Sequence, residues 1–330
     1  MRVAVRQFLV AILAAAVLLA MAPPAVASHA ELSLSASASE VRFGETVTLS
    51  GTLSSSIDGS PLPDQTIRAL DADGAEAGSD VTGPDGAFSI TYVPPASVIL
   101  HAEWQDPDEP DHIVASPEVT VGVRAILTVS IADVRLFGTA RVYGRVNPAH
   151  PGQPVAVALL RGDQVVSRKQ PLQRDDGTFS ARFRIRRTGT YRARATFGDD
   201  DHLSGRDVSG KRTTPLPYLE NGDSNVFVLL LERRLRELRY RLPQPDRSFD
   251  FRTGDAVLAF NKVQGRPRVK YVSASTWRAL VAPRKPQPRS KAGGVHVEVD
   301  KTKQVLYMVW DGIIRDIVHV STGRVEGWTR

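Results

Sequence analysis

Seven histidines and two acidic runs are the residues of this sequence whose types could bind a metal ion or move protons. The histidines are scattered, and none has the His-Glu-x-x-His spacing, or a comparable one, of a zinc hydrolase. Cysteine is absent, which excludes thiolate nucleophiles and cysteine–metal sites from this chain. The sequence therefore predicts no metal site and no cofactor.

The acidic runs 106–111 and 199–201 offer the oxygen ligands that calcium prefers. Neither run has the spacing of a defined calcium loop, so we interpret both as solvated loops. The tripeptide Arg161-Gly162-Asp163 resembles an integrin-binding motif, but it falls between two short apolar runs. Turn chemistry accounts for it without a partner.

The segment 1–27 has the pattern of a secretory signal peptide. Arg2 and Arg6 precede an apolar run from Phe8 to Met21, and an Ala-x-Ala cleavage site ends at Ala27. The alternative, a membrane anchor, needs about 20 apolar residues, which is more than this run has. We predict export into the bacterial envelope or cell wall, with no transmembrane anchor after cleavage.

Charge is divided unevenly along the mature chain. Residues 28–122 hold 16 Asp and Glu against 2 Lys and Arg, whereas residues 123–330 hold 20 against 38. A basic surface outside the cell favours anionic partners such as wall polymers, peptide-stem carboxylates or lipid head groups. Export argues against nucleic acid as a partner.

Residues 31–122 and 124–213 have period-two alternation punctuated by Gly, Asp and Pro, and they repeat one another. Residues 43–51 match 137–144, and 85–89 match 176–180; each copy then reaches a tyrosine, Tyr92 or Tyr191. The pattern predicts two all-β sandwiches. They resemble the bacterial Ig-like domains of surface and wall proteins, which serve as spacers or, alternatively, as adhesive modules.

Residues 214–282 have helical periodicity and predict a small all-α domain. Val228, Leu231, Leu235 and Leu238 fall on one helix face, with Glu232 and its charged neighbours predicted to face solvent. The order of residues resembles the peptidoglycan-binding domain of wall hydrolases and transpeptidases. The matched positions are Gly222, Val228, Leu231, Glu232, Leu235, Leu238, Tyr240, Asp246, Phe249, Thr253, Ala256, Val257, Phe260, Asn261, Thr276, Trp277 and Leu280.

This resemblance implies peptidoglycan or another anionic wall polymer as the partner, with Asp246, Thr253, Asn261 and Trp277 as the predicted ligand-binding residues. A core role for Trp277 is the alternative to stacking on a sugar. The chain departs from the family at its glycines, which are replaced at Arg239, Arg247, Asp250, Lys270 and Ser273. The tight turns of the family must therefore be made differently or not at all.

Residues 283–294 are predicted to be a linker, and residues 295–330 an incomplete β segment that begins with a hairpin. His296-Val297-Glu298-Val299-Asp300 and Val320-Ser321-Thr322-Gly323 resemble the opening strands of L,D-transpeptidase catalytic domains. In that family a cysteine in a Ser-His-Gly-Cys stretch is acylated by a peptide stem and passes the acyl group to an amine of a neighbouring stem.

No Ser-His-Gly-Cys stretch occurs in this sequence, so no catalytic residue is assigned. Only the segment 295–330 follows Gly294, whereas a domain with its own core usually needs roughly 100 residues. Two interpretations follow. The native product is a longer transpeptidase of peptidoglycan cross-linking, or it is a non-catalytic spacer or adhesin that binds the wall.

Overall fold

The structure is a computed structural model, and it describes residues 30–199 and 201–321. The predicted signal peptide, residues 1–27, lies outside these residues, as do Thr322 and Gly323 of the C-terminal motif. Two compact units are present. Unit 1 contains residues 30–37, 47–92 and 99–120, and unit 2 contains residues 38–46, 93–98 and the described residues from 121 onward.

Twenty-one strands and three helices are found among the described residues. The first ten strands are β1 (Ala30–Leu32), β2 (Ser35–Ala36), β3 (Glu40–Arg42), β4 (Val47–Ser55), β5 (Thr66–Asp71), β6 (Glu76–Val81), β7 (Ala87–Tyr92), β8 (Val98–Gln105), β9 (Ile113–Ala115) and β10 (Val119–Arg124). The next eight are β11 (Ile126–Ala132), β12 (Thr139–Asn147), β13 (Ala156–Arg161), β14 (Gln164–Lys169), β15 (Thr178–Arg184), β16 (Thr190–Phe197), β17 (Gly205–Val208) and β18 (Arg212–Thr213). The remaining elements are α1 (Val226–Glu237), α2 (Phe251–Val263), α3 (Ala274–Val281), β19 (Val295–Asp300), β20 (Val305–Trp310) and β21 (Ile313–His319).

Unit 1 is built from antiparallel strands whose alternate residues are buried. Strands β1, β2 and β7 all pair with β4, while β5 pairs with β6 and β8, and β9 pairs with β8. Leu49, Leu53, Ile67 and Leu100 are completely buried. The alternation seen in the sequence is therefore the alternation between a core face and a solvent face.

The sandwich of unit 2 has two sheets, β11–β12–β15 and β14–β13–β16–β17, with β18 on β16. Side chains from both sheets, including Val142, Phe179, Leu159 and Ala193, enclose one core. The hydroxyl of Tyr191, near the start of β16, donates to the carbonyl oxygen of Arg187 at 2.8 Å. This bond is similar to the tyrosine corner of Ig-like folds, and the predicted Ig-like β domains are present.

The structure confirms the internal repeat at the level of single contacts. Gly51 pairs with Phe88 across β4 and β7, and Gly144 pairs with Phe179 across β12 and β15. A Cβ at Gly51 would lie 2.7 Å from Cζ of Phe88, and one at Gly144 would lie 2.6 Å from Cζ of Phe179, so neither position has room for a side chain. In both copies the ring of a buried phenylalanine therefore packs against the backbone of a glycine on the neighbouring strand.

The prediction of a distinct all-α domain is wrong. The three helices share one hydrophobic core with β20, β21 and Leu136 from the sandwich of unit 2. The physical reason for the shared core is the burial of helix α2, in which every residue from Ala256 to Val263 is buried. A helix that is buried all round needs partners on more than one side, and α1 and α3, with 12 and 8 residues, do not cover it alone. Strands β20 and β21 pack against it.

Strands β19, β20 and β21 form a three-stranded antiparallel sheet that includes the predicted hairpin. The segment after α1 extends the pairing, since the amide of Arg241 donates to Ile317 and the amide of Ile317 donates to Arg239. The predicted linker, residues 283–294, contains no strand or helix among its residues. Backbone amides of Arg289 and Ser290 donate to the carboxylate of Glu298 on β19, and these bonds hold the linker against that strand. The domain boundaries proposed from sequence stay a prediction.

Two of the turns expected to need glycine are made by arginine. Arg239 and Arg247 have φ of 72° and 81°, in the left-handed region that favours glycine. Both occupy positions where the peptidoglycan-binding family has glycine. At these two positions a left-handed turn is therefore made without glycine.

Candidate functional site

Three of the four predicted binding residues are buried in the helical part of unit 2. Thr253, Asn261 and Trp277 are each 1% exposed. The indole Nε1 of Trp277 donates to the carbonyl oxygen of Pro217 at 2.8 Å, and Asn261 Nδ2 donates to Val269 at 3.0 Å. Their polar atoms are thus engaged within the protein, and ligand contact by them stays a prediction.

Glu232 joins the fourth residue, Asp246, to Thr253. Its carboxylate accepts from the Thr253 hydroxyl at 2.8 Å, from the Asp246 amide at 3.1 Å and from the Arg247 amide at 3.4 Å. The side chain is only 4% exposed, so the prediction that Glu232 faces solvent is wrong. Sequence periodicity missed this because the loop 246–250 folds back over α1 and supplies donors.

Replacing Glu232 with alanine should lower the free energy of unfolding of unit 2 by about 2 kcal/mol, because buried donors lose their acceptor. Urea denaturation followed by far-UV circular dichroism measures the change. Glu232→Gln, which keeps one acceptor oxygen, should lose less. A Glu232→Ala variant as stable as the wild type would show that the carboxylate does not hold the loop.

An exposed aromatic groove lies beside this buried network. Its cavity is about 320 Å³, and aromatic and polar side chains line it together. We call it the aromatic groove; its lining includes Glu220, Asn221, Asp250, Phe251, Lys270 and Tyr271. Phe251 is 64% exposed and Tyr271 40% exposed.

Local backbone bonds position the aromatic groove. The amide and carbonyl of Leu219 pair with those of Val272, which brings Tyr218 and Tyr271 to a ring distance of 5.3 Å. Asp250 caps α2 by accepting from the Thr253 amide at 2.9 Å, and Phe251 follows at the first helical position. Exposed rings next to a carboxylate and an amide suit a ligand with apolar faces and hydroxyl groups.

The outer face of the C-terminal sheet is also apolar. Its members share the side of the sheet opposite α2: Val295, Val297, Val299, Leu306, Met308, Trp310 and Val318. On β19 the three valines are 69%, 54% and 48% exposed, and Trp310 is 55% exposed. Asp316 shares this face opposite Met308, Arg241 donates to the Met308 sulfur, and the Arg315 guanidinium lies over the Trp310 ring. The exposed apolar part is therefore the row of β19 valines with Trp310, and an exposed apolar patch of this kind marks a surface that packs against another element or partner.

Lys262 of α2 connects the helix to the last strand. Its ammonium donates to His319 Nδ1 at 2.8 Å and to the carbonyl oxygens of Gln304 and Val320. Burial, and then the charge of Lys262, lower the pKa of His319 below its ordinary value of 6.5. The neutral imidazole is the form that can accept from this ammonium.

The contact between Lys262 and His319 predicts that unit 2 becomes less stable as the pH falls. As the pH falls below about 6.5, the unfolded chain binds a proton at His319 while the folded chain does not, so the free energy of unfolding decreases down to the lowered pKa. Urea denaturation of wild type at pH 7.5 and 5.5 measures this. His319→Gln keeps an acceptor without titrating and should show a smaller difference between the two pH values. Equal differences would contradict the assignment.

Residues from two loops that are far apart in sequence meet at the end of the unit 2 sandwich. The side chains of His150, Asp199 and His202 place potential metal-ligand atoms within 4.8 Å of one another. The sequence predicted no metal site and did not show this cluster, because His150 lies in a different loop, far from its partners along the chain. The only sequence signal was the short spacing of Asp199 and His202 within one loop.

Among the described residues, no helix is long and apolar enough to cross a membrane.

Comparison with known proteins gives likenesses to parts of the chain. No protein-family model and no curated protein matches it. The crystal structure of an L,D-transpeptidase from Xylanimonas cellulosilytica is 38% identical over 33% of this chain and 54% of that chain, with a TM-score of 0.32. The chain thus spans about half the length of that structure.

Adhesion proteins give the other likenesses. A tandem repeat from the extending region of a large adhesion protein is 18% identical over 60% of this chain and 53% of that one, with a TM-score of 0.32. An adhesin of Yersinia pseudotuberculosis is 11% identical over 54% and 58%, with a TM-score of 0.29. Because these TM-scores lie below 0.5, none of the likenesses establishes the function of this chain.

Proposed function

We propose that this chain is the wall-positioning part of an exported L,D-transpeptidase that cross-links peptidoglycan. The observation that carries the proposal is the exposed apolar outer face of the C-terminal sheet. In a complete transpeptidase domain, further strands would cover Val295, Val297, Val299 and Trp310 and bury them. The sequence around β19 and the Val320-Ser321-Thr322-Gly323 motif support the same assignment.

The reaction class follows from the resemblance. A thiolate attacks a carbonyl carbon of one peptide stem, the leaving amine takes a proton, and the thioester then passes its acyl group to an amine of a second stem. Residues 1–330 contain no cysteine, so the nucleophile in this proposal belongs to a continuation of the protein. His296 and His319 lie on the opening strands and receive no catalytic role.

Within this proposal, the helical residues 214–282 bind the wall through the aromatic groove. Phe251 and Tyr271 stack on sugar faces, while Asp250 and Asn221 accept and donate hydrogen bonds to hydroxyl groups. Asp246, Thr253, Asn261 and Trp277 support binding by holding the loop and helices that shape the groove. The Ig-like domains, residues 31–122 and 124–213, act as spacers.

The intact mass and C-terminal peptide of the native mature protein test the enzyme assignment. A mass well above that of residues 28–330, with a cysteine-containing C-terminal peptide, is the expected result. A native chain ending at Arg330 would overturn the enzyme assignment. It would favour a second function, a non-catalytic spacer or adhesin, which is suggested by the two Ig-like domains.

Co-sedimentation with purified sacculi tests wall binding. Phe251→Ala and Tyr271→Ala should each weaken binding by about tenfold, as removal of an aromatic anchor commonly does. Both side chains are exposed, so the thermal stability should stay close to that of the wild type. Tyr143→Ala, at a 41% exposed tyrosine on β12, is the control and should bind normally. Undiminished binding by both groove variants would contradict the assignment of this groove.

A further inference from the structure

The cluster of His150, Asp199 and His202 combines two imidazoles and one carboxylate, groups that bind transition metals. His150 lies in the connection between β12 and β13, and the other two lie in the loop that follows β16. His150 Nδ1 is 3.1 Å from one carboxylate oxygen of Asp199, and His202 Nδ1 is 3.3 Å from the other. Both imidazoles thus turn the same nitrogen towards one carboxylate.

The position of the proton on His202 follows from its surroundings. Its side chain is 5% exposed, and Nε2 lies 3.0 Å from the carbonyl oxygen of Pro95. A carbonyl oxygen only accepts, so Nε2 carries the proton. In the neutral imidazole, Nδ1 then presents a lone pair to the Asp199 carboxylate, and two lone pairs face one another across this contact.

His150 poses the complementary problem. Its Nε2 is buried and has no hydrogen-bond partner among residues 30–199 and 201–321. If Nδ1 donates its proton to Asp199, the Nε2 lone pair is buried without a partner, which costs free energy. If Nε2 carries the proton instead, Nδ1 presents a second lone pair to the same carboxylate. A cation bound to Nδ1 of both imidazoles and to Asp199 would satisfy the lone pairs that face one another, with the His150 proton on Nε2.

We propose that His150, Asp199 and His202 form a binding site for a divalent transition metal ion of the zinc class. Tetrahedral zinc with bonds of about 2.0–2.2 Å separates neighbouring ligand atoms by about 3.3–3.5 Å. The distances from the Asp199 carboxylate to His202 Nδ1, 3.3 Å, and to His150 Nδ1, 3.1 Å, are close to this separation. Two imidazoles and one carboxylate suit zinc, cobalt or nickel rather than calcium, and a water molecule is the fourth ligand.

Neighbouring bonds already hold the ligands in place. The Asp199 carboxylate accepts from the amides of Asp201 and His202 at 3.1 and 2.7 Å. The His150 amide donates to Gln173 Oε1 at 3.1 Å. The bond from His202 Nε2–H to Pro95 is the kind of support that orients a metal-bound histidine.

The metal would fasten three segments of unit 2 that are remote in sequence. His202 reaches the segment 93–98 through Pro95, and the amide of Ser97 donates to Asp201 at 2.8 Å. A bound ion would therefore couple these loops and raise the thermal stability of unit 2. Its role is structural, and it is independent of the proposed wall binding.

Titration of the mature chain, residues 28–330, with Co²⁺ and Zn²⁺ after removal of metal by a chelator tests the proposal. We expect one equivalent of Co²⁺, visible absorption of tetrahedral strength, displacement by Zn²⁺, and a Tm increase of about 5 °C at saturating Zn²⁺. His150→Ala and Asp199→Asn should each weaken binding by about a hundredfold or more. Asn at position 199 keeps an acceptor for the two loop amides, which preserves the loop.

His101→Ala is the matched control. His101 also faces a carboxylate, Glu103, at 3.2 Å, but it belongs to unit 1 and to no three-ligand cluster among the described residues. Its variant should bind metal as the wild type does. Failure of the wild type to bind either ion would overturn the proposal, and so would equal binding by His150→Ala and Asp199→Asn. In either case the contacts of His150 and His202 with Asp199 would be those of a hydrogen-bonded cluster without a metal ion.

Discussion

Replacing Trp277 with alanine should lower the free energy of unfolding of unit 2 by about 3–5 kcal/mol, the range for loss of a buried aromatic side chain. The ring is 1% exposed and lies in the core shared by the helices and the C-terminal sheet. Its centroid is 6.3 Å from that of Phe137, which belongs to the sandwich of unit 2. The variant removes this packing and the hydrogen bond to Pro217 together.

Urea denaturation followed by far-UV circular dichroism measures this loss. Trp277→Phe keeps most of the buried apolar area and loses the N–H donor, so it should cost clearly less than alanine. The shared core also predicts that the helices and the C-terminal sheet unfold together. A separate helical transition, with β19–β21 unaffected, would contradict the shared core and would favour an autonomous all-α domain.

Replacing Gly144 with alanine should destabilise unit 2 by about 3 kcal/mol, at the upper end of the cost of overpacking. The added Cβ would overlap the carbonyl oxygen of Thr128 and lie 2.6 Å from Cζ of Phe179. Phe179 is 1% exposed, so its ring has no free space to enter. Either the ring or the pairing of β11 with β12 must shift.

The internal repeat supplies a second test of the same contact. Gly51→Ala brings its Cβ to 2.7 Å from Phe88 Cζ and should destabilise unit 1 by a similar amount. Gly210→Ala is the control, because a Cβ there would have no atom within 4 Å; its stability should change by less than about 0.5 kcal/mol. If the Gly144→Ala and Gly51→Ala variants were as stable as the control, the strands would accommodate the added methyl group without a loss of stability.

The β sandwiches could be read from the sequence because their evidence is local. Alternation with period two fixes which side chains face the core, and Gly-rich turns fix where strands end. The matched pairs Gly51–Phe88 and Gly144–Phe179 also lie within the predicted repeat. Strand pairing is not local in the same way, because β4 pairs with β7 and β12 with β15 although two other strands lie between the partners in the chain. The sequence therefore predicts the Ig-like β domains but not which of their strands pair.

The helical region could be predicted only in part. Its helices follow from the spacing of Val228, Leu231 and Leu235, but periodicity describes one face of a helix at a time. Burial of Glu232 depends on donors from a separate loop, and burial of α2 on all sides depends on β20 and β21. The error of a distinct all-α domain arose because sequence patterns do not show which elements share a core.

The candidate sites show the same division. Asp246, Thr253, Asn261 and Trp277 were predicted from a family resemblance to bind a ligand. The aromatic groove, in contrast, forms only because the fold places Tyr271 beside Phe251. The cluster of His150 and His202 likewise depends on two loops that are separate in the sequence.

The sequence by itself determined the pattern of strands and helices, the internal repeat and the absence of cysteine, because these are properties of neighbouring residues and composition. Only the tertiary structure decided which core the helices join, which charged side chain is buried, and which residues meet around Asp199. Those outcomes depend on contacts between residues far apart in the chain. Many alternative pairings satisfy the same local pattern, and packing selects among them.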